Sequence, residues 1–270
     1  MTIHFSCTTC GKCCHNLRLP LSVDESVAWL KRGGTIQAFC EAIPWPVEPP
    51  EDDGPAHHKR ERSFAAVSGV QPVRIILTLV AAFDGACPHL RSDMLCGAYE
   101  ERPRVCRIYP AEVNPFITLD PSGKACPPEA WSSERPVFML GSQVNDAATR
   151  AVIRESHAVS AQDAKRKGRL AALLGCRAAA LANEGFVIYS FDSATALAAL
   201  ETVVSETATQ QLGEPQREWE FVSNQGGTIE TLTEIRARVS RSDALDGAPH
   251  AFLAFLPDSF SGATVPAQTE

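Results

Sequence analysis

Four thiols fall within eight residues near the start of the chain, in Cys7-Thr8-Thr9-Cys10-Gly11-Lys12-Cys13-Cys14. Cysteines used as small core residues would be scattered, whereas these recur at every third position. The segment constrains the fold through what its sulfurs must hold: a metal, a disulfide set or a reactive thiol pair. Further thiols follow in Cys87-Pro88-His89-Leu90, at Cys96 and Cys106, and in Cys126-Pro127. Eight of the ten cysteines thus sit in four places along the sequence.

The rest of the composition narrows what the thiols are for. A chain of 270 residues that is 44% hydrophobic buries a full core without covalent staples. Its net charge of -7 argues against a nucleic-acid partner, which normally leaves a basic stripe. The longest apolar run, 75–83, is about half the ~20 residues of a membrane helix, so no membrane partner is expected. The cluster leaves no room before Cys7 for a secretory leader, and a cytoplasmic location is expected. In a reducing compartment, cysteines at regular spacing point to metal ligands or catalytic thiols before structural disulfides.

Hydrophobic periodicity predicts an α+β chain: a cysteine-rich metal-binding half with short strands and helices over 1–136, then a mostly helical region over 137–256. A tail over 257–270 lacks periodicity. The proline-rich, charged stretch 45–63 reads as a flexible insertion. A helix is expected over 23–39, interrupted by Gly33-Gly34, and a buried strand over 73–83. The second half offers helices over 145–157 and 162–182, a strand over 186–191, a helix capped by Asp192-Ser193, and a helix over 228–241. The exposed faces of these Ala/Leu-rich helices are a candidate surface for a protein partner.

A tetrahedral zinc site and a cubane iron–sulfur cluster each take four thiolates, so eight allow two sites. Cys7, Cys10 and Cys13 follow the C-x2-C-x2-C spacing that wraps a ferredoxin cluster, with a fourth ligand from a distant Cys-Pro, here Cys87 or Cys126. The same spacing contains C-x2-C zinc pairs, in which Gly11 lets backbone amides turn toward sulfur. Spacing alone leaves the metal open. Cys14 directly follows Cys13 and is expected to face a second site. Arg102, Arg104 and Arg107 are placed to offset thiolate charge, or else form a solvated helix face. His15 and His89 adjoin the thiols and read as groups outside the ligand set. His57-His58 lie in the insertion, and Cys40 and Cys176 in apolar surroundings read as core.

The order Cys-x2-Cys-Gly-x-Cys-Cys, Cys-Pro-x-Leu, then Cys followed by Tyr-Glu-x-Arg-Pro-x-x-Cys-Arg-x-x-Pro resembles the YkgJ-like cysteine-cluster family, described as zinc- or iron-chelating domains. The resemblance covers roughly 7–126. It implies metal binding by Cys7, Cys10, Cys13, Cys14, Cys87, Cys96 and Cys106, and extends to Cys126. The long segment between Cys14 and Cys87 departs from the pattern. Flagellin lysine N-methylases look like distant members of the same group, which implies methyl transfer from S-adenosylmethionine; the sequence has neither a glycine-rich nucleotide loop after a strand nor a C-x3-C-x2-C radical motif to match. Three readings follow: an iron–sulfur protein with a redox or metal-handling role, a zinc module presenting a protein-binding platform, and a metal-dependent modifying enzyme. A 4Fe-4S cluster is favoured over zinc or iron ions by the triple spacing, the two Cys-Pro pairs and the surplus of thiols.

Overall fold

The computed structural model describes residues 2–206, 218–245 and 250–260. The chain is α+β. In chain order the described elements are β1 (Thr2–His4), β2 (Arg18–Leu21), α1 (Val23–Lys31), β3 (Ile36–Pro44), α2 (Gly54–Glu61), β4 (Phe64–Ser68) and β5 (Gln71–Ala82). They continue as α3 (Arg104–Ile108), β6 (Val137–Leu140), β7 (Gln143–Val144), α4 (Ala147–Leu173), β8 (Ala178–Leu181), β9 (Gly185–Ser190) and α5 (Ser193–Ser205). β10 (Glu220–Ser223), α6 (Gly226–Glu234), β11 (Val239–Arg241) and β12 (His250–Ala254) complete them. Most of the expected tail lies outside the described residues, and no described helix is long and apolar enough to cross a membrane.

Several elements depart from the sequence pattern for local reasons. The helix expected over 23–39 stops at Lys31, because Gly33 takes a left-handed φ of 82°. The apolar run that follows forms β3, which buries Ile36, Ala38, Cys40 and Ala42 on one face and Phe39 on the other. Part of the insertion is helical: the Asp53 carboxylate accepts the Ala56 N–H at 3.0 Å and Pro55 sits in the first turn of α2. The two helices expected from 145 onward are one, α4, started by Asp146, which accepts the Thr149 N–H at 2.7 Å. Gly175, at φ 72°, breaks it, and the alanines after it form a strand. Likewise the expected helix over 228–241 ends at Glu234, and its last residues pair as β11.

Two compact units make up the chain, each assembled from separated segments. The first comprises 1–37, 79–163 and 191–205. In it β1, β6 and β7 form an antiparallel sheet, and β2 pairs with the end of β5 from Leu21↔Leu79 to Arg18↔Ala82. Its core joins Ile3, Ile108, Ala111, Leu119, Phe138, Met139 and Val152. The second comprises 38–78, 164–190 and 206–270. There β11, β10, β8 and β3 run parallel, β5 and β4 follow antiparallel to each other, and β9 carries β12. Phe221, Ile75, Leu77, Val187 and Val222 fill its core. Cys40 and Cys176 are buried in this second unit and hydrogen-bond to each other, so both are packed residues as their apolar neighbours suggest.

Candidate metal centre

All eight clustered cysteines belong to the first unit. After β1 the chain stays beside the segment that precedes β6: Phe5 N–H donates to the Pro136 carbonyl at 3.1 Å and Ser6 N–H to Ala130 at 3.0 Å. This pairing brings the Cys7–Cys10 loop alongside the segment that begins at Cys126. Gly11 then turns the chain with φ 67°, where an added Cβ would lie 2.7 Å from Met94 Cε. A short 3-10 turn over Lys12–Cys14 follows, closed by Cys14 N–H on the Gly11 carbonyl at 2.9 Å.

A second set of backbone bonds gathers the middle cysteines. Cys87 N–H donates to the Cys14 carbonyl at 2.8 Å, beside a bridge between His15 and Ala86. Leu90 N–H returns to Cys87 at 2.8 Å, and Leu90 bridges to Cys96. Cys106 arrives on α3, and that helix is tied to the start of α1 by one carboxylate. Glu25 accepts the Ser22 N–H at 2.8 Å in a capping box, accepts the Arg104 N–H at 2.7 Å, and pairs with the Arg104 guanidinium at 3.1 Å. Arg104 is therefore held by Glu25 and Glu155 and does not serve the thiols as its place in the arginine cluster suggested. Arg102 and Arg107 do face them, with Arg102 stacked 3.8 Å above the Tyr99 ring.

Cys7, Cys10, Cys13, Cys14, Cys96, Cys106 and Cys126 line one cavity of about 620 Å³. Cys87 is not among the residues that line it, and the Cys14 and Cys96 charges act on its thiol. The electrostatics are uneven. The Cys13 S–H donates to the Cys14 sulfur, which drives the Cys13 pKa far up, with burial and the Cys126 and Cys7 charges adding to it. The same bond, with His15 and Arg102, lowers Cys14 to about 6. Burial pushes Cys106 up to about 12, and it raises Cys87 and Cys126 as well. The Tyr109 hydroxyl accepts the Ala125 N–H at 3.0 Å and hydrogen-bonds Cys126, which favours that thiolate.

The histidines beside the thiols are otherwise engaged. His15 Nδ1 is 3.1 Å from the Gly11 carbonyl, and His89 packs edge-on against Trp29 at 4.9 Å. No group of three or more His, Cys, Asp or Glu side chains among the described residues is arranged to hold a metal ion as it stands. The donor chemistry nevertheless fits zinc or iron, since seven soft sulfur donors line one cavity, more than the four that a tetrahedral ion or a cubane requires. Two buried polar atoms on the cavity wall, Arg102 Nε and Thr8 Oγ1, have no hydrogen-bond partner. Such donors are satisfied by an anionic sulfur centre drawn in beside them. Neither orphan is legible in the sequence, because Thr8 reads only as a spacer and Arg102 only as one arginine of three.

An α+β chain whose thiols converge on one cavity defines a cysteine-cluster domain. Residues 6–127 match the CxxCxxCC family model, described as "Putative zinc- or iron-chelating domain". No curated protein and no solved structure matches the chain.

Proposed function

We propose that this domain holds iron as a thiolate-ligated iron–sulfur centre, in preference to bare zinc, and that the protein has a redox or metal-handling role. The observation that carries this reading is the cavity of about 620 Å³ with seven cysteines on its wall. A tetrahedral zinc ion bound by four thiolates fills its own coordination sphere and calls for no further volume, whereas a cluster brings inorganic sulfide and occupies space. The partnerless Arg102 Nε supports the same reading, because hydrogen bonds to cluster sulfur set its charge and potential. Cys7, Cys10, Cys13, Cys14, Cys87, Cys96, Cys106 and Cys126 are the donors in this proposal.

The test is an absorption spectrum of the full chain purified without oxygen, with iron, zinc and acid-labile sulfide measured on the same sample. Broad thiolate-to-iron absorption with iron and sulfide in comparable amounts is expected. Colourless protein with stoichiometric zinc would overturn the iron–sulfur reading in favour of a structural zinc module, and protein that binds neither metal after reconstitution would overturn metal binding itself.

A further inference from the structure

We infer that Thr9 is a positioning residue of the metal centre: its backbone is held in the left-handed region so that its N–H supports the Cys7 sulfur and the chain turns Cys7 and Cys10 toward one cavity. This deepens the proposed function and rests on it only in taking Cys7 and Cys10 as donors, whether the metal is iron or zinc.

Among the described residues, five other than glycine have a positive φ, and Thr9, at 52°, is the one with a branched β-carbon. Asparagine tolerates that region because its short side chain bonds locally, whereas two heavy atoms on Cβ make it costly for threonine. The Thr9 side chain is exposed, and its hydroxyl donates to the adjacent Thr8 carbonyl at 2.7 Å. Burial of the side chain therefore does not force the conformation; the course of the backbone does.

That course acts on sulfur. The Thr9 N–H donates to Cys7 Sγ at 3.4 Å. Residues three apart on an extended chain point to opposite faces, yet Cys7 and Cys10 line the same cavity. Left-handed residues on both sides of Cys10, Thr9 and Gly11 at φ 67°, turn the chain back between them. The turn is also confined from outside. A Cβ on Gly11 would lie 2.7 Å from Met94 Cε and 3.1 Å from the Met94 carbonyl oxygen, and Met94 is itself left-handed at φ 64°. Thr9, Gly11 and Met94 all line the cavity. Strained backbone persists where its surroundings over-determine it, and ligand clamps are where it collects. An N–H aimed at a ligand sulfur orients that sulfur and tunes the metal it binds.

Metal-free full-length protein is titrated with cobalt(II), whose thiolate charge-transfer absorption reports bound sulfur without a choice between zinc and iron–sulfur. Thr9→Gly keeps the N–H and adopts a positive φ freely. It should keep the wild-type charge-transfer band and raise the urea midpoint of the metal-free protein by about 0.5 M. Thr9→Pro has no N–H and fixes φ at about −65°, and it should weaken cobalt retention about 10- to 100-fold in chelator competition. An amide-to-ester replacement at Thr9, made in the full chain by ligation at Cys10, removes the N–H alone. It should cost about 10-fold in retention and move the charge-transfer band to lower energy, and it reports even where the proline variant does not fold. An ester chain with wild-type retention and band overturns the positioning role and leaves metal binding standing. So does a Thr9→Gly protein that loses cobalt as readily as Thr9→Pro, or that unfolds at lower urea than the wild type. A folded wild type that takes up no cobalt overturns metal binding as well.

Discussion

Replacing Glu25 by alanine removes no thiol, yet it should weaken both the fold of the first unit and its hold on metal. The side chain fixes the start of α1 and, through the Arg104 N–H at 2.7 Å, the start of the helix that carries Cys106. Its loss has two parts. On the α1 side the Ser22 N–H loses its acceptor, but Ser22 Oγ still accepts the Glu25 N–H at 3.1 Å, so roughly half of a capping box goes, about 1 kcal/mol. On the α3 side a hydrogen bond to a charged acceptor is lost, about 2 kcal/mol. The ion pair itself lies between side chains only 16% and 18% exposed, and Arg104 retains Glu155 at 3.5 Å, so no fully abandoned charge adds to the sum. The expected cost is about 3 kcal/mol, which at a urea dependence of ~2 kcal/mol per molar lowers the midpoint by about 1.5 M. Glu25→Gln, which keeps one acceptor oxygen without the charge, should fall between the two. Urea unfolding of metal-free protein followed by circular dichroism measures both, and chelator competition on loaded protein should show faster metal loss from Glu25→Ala. A midpoint within about 0.3 M of the wild type would refute the view that one carboxylate anchors α3.

Three further perturbations test other parts of the structure. Tyr109→Phe removes the hydroxyl that supports Cys126 and should weaken metal retention about 10- to 100-fold in chelator competition; unchanged retention would mean that this hydroxyl does not support the thiolate. Burial raises the Glu41 pKa above its ordinary 4.5, against the pull of Lys59 and Arg62, so the native state keeps a proton that the unfolded chain releases. Its contribution to stability is present below pH 4.5 and is lost as pH rises through the raised folded value, so Glu41→Gln should be more stable than the wild type at pH 7 and close to it at pH 4 in thermal melts; the reverse order at pH 7 contradicts the reasoning. Gly69 has φ 58° and an added Cβ would lie 2.1 Å from the Arg236 carbonyl oxygen, so Gly69→Ala should cost about 2 to 3 kcal/mol in urea unfolding, and a cost under about 0.5 kcal/mol would show that the turn relaxes freely.

What the sequence made legible was local. The strand at β5, the strand at β9 and the helix α5 with its Asp192 cap, which accepts the Thr195 N–H at 2.9 Å, all carry their signal within a dozen residues. β3 and β8 do not, because alanine-rich and mixed apolar runs are decided by the parallel partners that they find across the sheet. The site divides in the same way. Cysteine spacing marked all eight thiols, but their grouping depends on contacts such as Cys14 with Cys87, which no local pattern encodes. Glu25 was invisible for the same reason: its second role lies 79 residues away.

The packing around the donors bears on whether metal is a staple or a working group. Small zinc modules need their ion because they have too little core to fold without it. Here three of the donor segments begin or end on an apolar anchor. Ile3 and Phe5 precede Cys7, Ile108 follows Cys106 and is fully buried, and Trp131 follows Cys126 and packs on Phe5 with ring centroids 4.7 Å apart. These anchors belong to one core that includes Phe138 and Met139, so hydrophobic burial positions the three segments that carry Cys7, Cys106 and Cys126. Eight thiolates gathered by such a core repel one another until a cation neutralises them. The surplus of sulfur over what the fold requires is thus an argument for chemistry at the centre, and it places the reading of these cysteines as a structural clasp second.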